Sequence, residues 1–120
     1  MKDIFQIPVR LPSLNEYINA CRSNRYEAAK MKKQCEKILS FYMRNHACFH
    51  KPVFIRFTWI EQNKKRDLDN VAFGKKFILD AFVKYGILEN DNWSHVTGFT
   101  DNFSVGNKPM IIVEITEVEA

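Results

Sequence analysis

The sequence predicts an α+β fold, a single domain in which a mixed sheet of about four strands packs against two main helices. Three observations carry that expectation. Apolar residues alternate in Ile4–Val9 and in Pro52–Glu61, the period of a strand with one buried face. Two other stretches, starting near Tyr26 and Val71, repeat their apolar residues every three or four positions, the period of a helix. At 120 residues and 46% hydrophobic, the chain is long enough for one real core and too short for two, so residues 1–120 read as one domain.

In "IFQIPV", Phe5, Ile7 and Val9 share a face, and Pro8 belongs near an edge or the strand's end. "RLPSLNEYINACRSNR" follows, with one proline, two serines and three asparagines, and reads as a long loop. From about Tyr26, Ala28, Met31, Cys35, Ile38, Leu39 and Tyr42 trace a helical stripe that leaves Lys30, Lys33, Lys37 and Arg44 mostly on the surface. "PVFIRFTWIE" is the clearest strand. A second helix is expected from about Val71 to Tyr85, with Gly86 as its C-cap and a stripe of Val71, Gly74, Ile78, Ala81 or Phe82, and Tyr85. "WSHVTGFTDNF" admits a strand and "KPMIIVEITEV" is one, giving the order βαβαββ.

The 18 basic and 14 acidic residues are unevenly placed. Residues 1–90 carry 17 bases against 9 acids, a net of +8, whereas residues 91–120 carry five acids and one lysine, a net of −4. That asymmetry favours a polyanionic partner, nucleic acid ahead of membrane, because no strongly basic amphipathic anchor stands out. No apolar run has the length of a membrane span, and "MKDIFQIPV" lacks the cleavage site of a signal peptide, so the expectation is a cytoplasmic chain without a membrane partner. Cys21, Cys35 and Cys48, spaced 14 and 13 apart, match neither a zinc site nor a disulfide framework.

The chemistry concentrates in "NKKRDLDN", where Lys64, Lys65 and Arg66 run into Asp67 and Asp69. A helix cap at Asp69 or Asn70, with Asp67 near the dipole, gains about 0.3–1 kcal/mol per group. Two carboxylates ~6 Å apart repel by about 3 kcal/mol at an effective dielectric of 20. A cap does not obviously offset that, and a divalent cation does. Hard oxygen ligands without Cys or His favour Mg²⁺ or Mn²⁺ over zinc. A calcium loop counted from Asp67 fails, since Val71 and Ala72 fall where an acceptor and a glycine are required. Lys76, two turns after Asp69, and Asp91, in the segment after Gly86, are candidates to complete such a site. Their plainer alternatives are an i,i+4 pair with Asp80 for Lys76 and a turn residue for Asp91. The three cations read either as a solvated turn or as phosphate contacts flanking a metal.

"KKRDLDNVAFGKKFILDAFVKYGILENDNW" resembles the central motif of the RusA-type crossover junction endodeoxyribonucleases, the Holliday junction resolvases found largely in prophages. "PSLNEYI" resembles that family's N-terminal Pro-Ser-x-Asn segment. The resemblance implies Asp67, Asp69 and Asp91 as Mg²⁺-binding catalytic carboxylates, with Mn²⁺ as a substitute, and Lys76 as catalytic lysine with Lys75 as the other claimant. Where the best-known member has two consecutive acids, this chain has Asn90-Asp91. A homodimer, branched DNA as partner, and paired nicks leaving 5′-phosphate and 3′-hydroxyl ends are further implications, and a two-fold axis suits a junction cut symmetrically. Lys64, Lys65, Arg66, Lys75, Arg22 and Arg25 are the expected DNA contacts, with Lys30 close by. Asn15 and Tyr17 are expected to be structural, His95 inert, and Trp93, Phe99 and Phe103 to pack in a core or dimer interface. A junction binder that does not cut, and a nuclease preferring other branched DNA, remain the alternatives.

Overall fold

The computed structural model of the protein describes residues 1–44 and 46–119. Strand β1 (Lys2–Ile7) leads into helices α1 (Leu14–Ser23) and α2 (Arg25–Ser40). Then come β2 (Val53–Glu61), α3 (Leu68–Ala72), α4 (Lys75–Lys84), β3 (Val96–Val105) and β4 (Met110–Glu117). The sheet order is β1-β4-β2-β3, with β2 antiparallel to β4 and parallel to β3, so the sheet is mixed as expected.

One face of the sheet carries Phe5, Ile7, Val53, Ile55, Phe57, Trp59, Ile111, Val113 and Ile115, all buried under the helices. The helices return Cys35 and Leu39 from α2 and Phe77, Ile78, Ala81 and Phe82 from α4. Each fully buried aliphatic or aromatic side chain stabilises by about 1.5–3 kcal/mol, so this shared layer is what holds the strands in register. Burial also pushes the Cys35 thiol up to about 11, with Glu36 adding to the shift, which leaves it protonated and inert. Among the described residues no helix is long and apolar enough to cross a membrane.

Two sequence expectations need correction. The segment read as a long loop contains α1. Ser13 is its N-cap: the Ser13 hydroxyl accepts from the Glu16 backbone N–H at 3.2 Å, and Glu16 reaches back to the Ser13 N–H. That capping box offsets the asparagines, and Tyr17 and Ile18 supply the half-buried side of the helix. The second correction concerns the helix expected over Val71–Tyr85, which is two helices. Around Gly74 the backbone bonds span three residues, Gly74 N–H to Val71 O at 3.1 Å and Phe77 N–H to Gly74 O at 3.1 Å, a tight turn between α3 and α4. A side chain at Gly74 would stand 3.2 Å from the Trp59 ring and 3.3 Å from Leu11, so the bend follows from how closely β2 and Leu11 approach. Gly86 ends α4 with φ of 78°, the left-handed cap that a glycine takes at least strain.

Candidate active site

The "DLDN" segment sits where the chain leaves the C-terminal end of β2. Asp67 is the backbone N-cap of α3, yet its side chain makes no capping hydrogen bond. The capping account therefore does not explain its carboxylate, which lines a cleft of about 830 Å³. Lys64 and Arg66 share that cleft with Glu61, Trp59, Asp101 and Phe103. Asp69 is exposed on the first turn of α3 and accepts from the neighbouring Asn70 N–H, at 3.0 Å.

The three cations are not alike. Lys64 and Lys65 are exposed, whereas the Arg66 side chain is 12% exposed. Its guanidinium donates to the Leu11 carbonyl at 2.9 Å and to the Glu16 carboxylate, the same group that closes the α1 capping box. Asn70 adds a second tie by accepting the Asn15 N–H at 3.0 Å. Arg66 and Asn70 thus pin the carboxylate segment to the start of α1. This gives the Pro-Ser-x-Asn segment a physical role, since it frames the "DLDN" turn.

The bend at Gly74 sets the two lysines on different sides. Lys76 is exposed and pairs with Asp80 at 3.2 Å, the plain i,i+4 arrangement. Lys75 turns inward. Its ammonium lies 2.6 Å from Asp101 and 3.9 Å from the centre of the Phe99 ring, with 15% of the side chain exposed. Asp101 accepts a second bond, from the Trp59 indole at 2.8 Å. Sequence reasoning did not single out Asp101. It stands opposite Phe57 in the β2–β3 register, and nothing near it in the chain marks that meeting.

Asp91 lies elsewhere. It follows α4, which runs back toward the start of β2, and the segment containing it is tied there by the Val53 N–H to His95 O bond at 2.9 Å. The β2 strand spans nine residues, about 26 Å end to end, and separates Asp91 from Asp67 and Asp69. The Asp91 segment has its own order. Glu89 accepts from His50 at 2.5 Å, a bond that holds its carboxyl below the usual range, with His95 contributing. Trp93 is 98% exposed, so it has no place in this chain's core, while Phe99 is exposed and Phe103 half-buried. Arg22 lies in the last turn of α1, about 10 Å along its axis from Asn15, and Arg25 opens α2 just beyond.

Resident divalent metal is testable against these donors. Asp67 and Asp69 offer exposed hard oxygens suited to Mg²⁺, but among the described residues no group of three or more His, Cys, Asp or Glu converges to hold an ion.

Paired carboxylates at the rim of a lysine-bearing cleft, on a small α+β domain, define a protein built to handle a polyanion. The model of the endodeoxyribonuclease RusA family matches residues 4–116, and the chain belongs to that family. No curated sequence matches the chain. Membership makes it a member of a family of DNA endonucleases whose activity is Holliday junction resolution in recombination and which generally need a divalent metal.

Proposed function

We propose that this chain is a Mg²⁺-dependent endodeoxyribonuclease that resolves four-way DNA junctions as a homodimer, by paired hydrolysis leaving 5′-phosphate and 3′-hydroxyl ends. The observation that carries the reading is the exposed Asp67–Asp69 pair, relieved of capping duty, at a cleft that also holds Lys64.

The position of Asp91 supports the dimer. If Asp67, Asp69 and Asp91 hold one Mg²⁺, with Mn²⁺ as substitute, a single chain fails by the length of β2, and the third carboxylate must come from a second copy. The edges of the sheet favour a particular pairing. The β1 edge carries Lys2 and Asp3 and is followed by Pro8, features that block strand addition. The longer β3 edge, ten residues, has no lysine, arginine or proline. Antiparallel pairing of β3 with the partner's β3 sets the start of one strand beside the end of the other. The partner's Asp91 then reaches the Asp67 end. Its acidic loop, with Glu89 and the exposed Trp93, meets a mouth bearing Lys64 and the exposed Leu68.

A Mg²⁺ held by these carboxylates would supply charge neutralisation at the phosphate and a lowered pKa for an attacking water. Lys64 and Lys65 hold the strand by its flanking phosphates. Lys75, kept in place by Asp101 and Phe99, stabilises negative charge building on the phosphate oxygens; Lys76 plays a lesser part, through Asp80.

The test is a nicking assay on a synthetic four-way junction, with a duplex of the same sequence as competitor and a gel shift in EDTA alongside. Symmetric nicks that need Mg²⁺ and vanish in Asp69→Asn, while binding persists, support the reading. Junction binding without cleavage in Mg²⁺ or Mn²⁺ replaces it with a silent junction binder. Preferential cutting of flaps or forks assigns a different branched substrate.

A further inference from the structure

We infer that the outer face of α2 is a second DNA-binding surface, one that tracks the backbone of a duplex arm at a distance from the cleft. It goes beyond the nuclease site, but takes its ligand class, DNA, from the proposed function.

The net charge of the whole chain is +4, and residues 22–44 alone carry seven bases against two acids, a net of +5. Of the two acids, Glu36 takes the ammonium of Lys84 at 2.7 Å, and Glu27 stands in the first turn of α2, at the positive end of the helix dipole. By contrast, no ion pair within 4.0 Å involves Lys30, Lys33 or Lys37 among the described residues.

These three lysines fall on one line of the helix. Tyr26, Lys30, Lys33, Lys37, Phe41 and Arg44 recur every three or four residues, all exposed, with Tyr26 at 74% and Phe41 at 66%. Tyr26, Lys30, Lys33 and Lys37 also line a shallow groove of about 480 Å³ together with Ala29 and Gln34. Both aromatics stand beside cations, Arg25 at 5.9 Å from the Tyr26 ring and Arg44 at 5.1 Å from Phe41. Like charges stacked along a helix destabilise it when alone, by a few tenths of a kcal/mol per pair. Folding does not require the stripe, because α2 is anchored through Cys35 and Leu39 on the other side.

Lys30 to Lys37 covers about 10 Å of helix, a length that spans about three phosphates of one strand at about 3.4 Å of rise each. The start of α2 is offset from the carboxylate segment by the length of α1, about 15 Å, which is on the scale of a duplex width. A strand held in the cleft therefore leaves its duplex arm within reach of α2. Sequence information is not read here, since lysines on phosphates position without specifying.

The test measures binding in EDTA, so it does not depend on cleavage, using the triple variant Lys30→Gln, Lys33→Gln, Lys37→Gln. Gln keeps helix propensity, and circular dichroism confirms the fold. Two junctions are compared, one with arms of about 20 base pairs and one trimmed to about 6. The expected result is weaker binding of the long-armed junction, a log Kd against log salt slope lower by about 2.7, and little change for the trimmed one. Unchanged slope and affinity on long arms would overturn the inference while leaving the nuclease reading intact. Equal losses on both junctions would also overturn it, by placing the lysines at the crossover itself. A wild-type protein that binds the long-armed junction through α2 yet cuts no DNA sinks the nuclease reading alone.

Discussion

The two ends of β2 carry the same kind of residue in different settings. At the C-terminal end, Asp67 and Asp69 are braced from below: Arg66 and Asn70 tie their segment to α1, and Lys64 opens beside them into a cleft. At the N-terminal end, Asp91 sits in a loop organised by Glu89, His50 and His95, with Trp93 standing free. One end has the Asp67–Asp69 pair, cations and a cleft, and the other has Asp91 in a loop of its own. The difference teaches that a run contiguous in sequence is split across the fold, which the proposed dimer would reunite.

The largest expected effect breaks that comparison directly. Asp67→Asn and Asp91→Asn should each abolish nicking as homodimers, by about 10³-fold or more, since each removes a ligand of a charge-stabilising centre. Mixed after unfolding and refolding together, they should regain single nicks. In the heterodimer one site joins the intact Asp67 of one chain to the intact Asp91 of the other. A heterodimer that forms but never nicks would place all three aspartates in one chain and refute the split.

Next in size is the division between the lysines. Lys75→Ala should lower kcat about 10²-fold, comparable to the loss of one charge-stabilising donor, whereas Lys76→Ala should stay within a few-fold. Single-turnover rates at saturating junction measure both, and the reverse order would return the role to Lys76.

Smaller effects bear on stability. Gly86→Ala forces a side chain into φ of 78° and should cost about 1 kcal/mol in urea unfolding. No atom lies within 4 Å of the added carbon, so the loss measures backbone strain alone. Ser13→Ala removes the α1 cap and should cost about 1 kcal/mol, a fall of roughly 4 °C in Tm. It should also loosen the DLDN brace, visible as faster exchange of the Asn15 and Asn70 amides. Equal exchange in wild type and variant would uncouple the cap from the carboxylates.

Much of this was readable from the residues. Alternation of Phe5 and Ile7, of Val53 through Trp59, and of Ile111 through Ile115 announced strands, because burial on one face demands a two-residue period. The helix at Leu14–Ser23 was also legible in principle, through Ser13 and Glu16 at capping-box spacing, but its asparagines read as loop by composition. The break at Gly74 was not, since its cause is the Trp59 ring arriving from another element. Asp101 was hidden for the same reason, 26 residues from the lysine it holds.

The sequence by itself determined the α+β class, the family-like run from Lys64 to Asp91 and the surplus of positive charge, because local periodicity and residue chemistry are properties of neighbours along the chain. Tertiary structure alone decided that Arg66 is a brace and Lys75 the inward lysine, and that Asp91 belongs to the segment at the start of β2 while Asp67 and Asp69 follow its end. Those outcomes depend on strand register and on the direction in which α4 returns, and both are fixed by packing among distant residues.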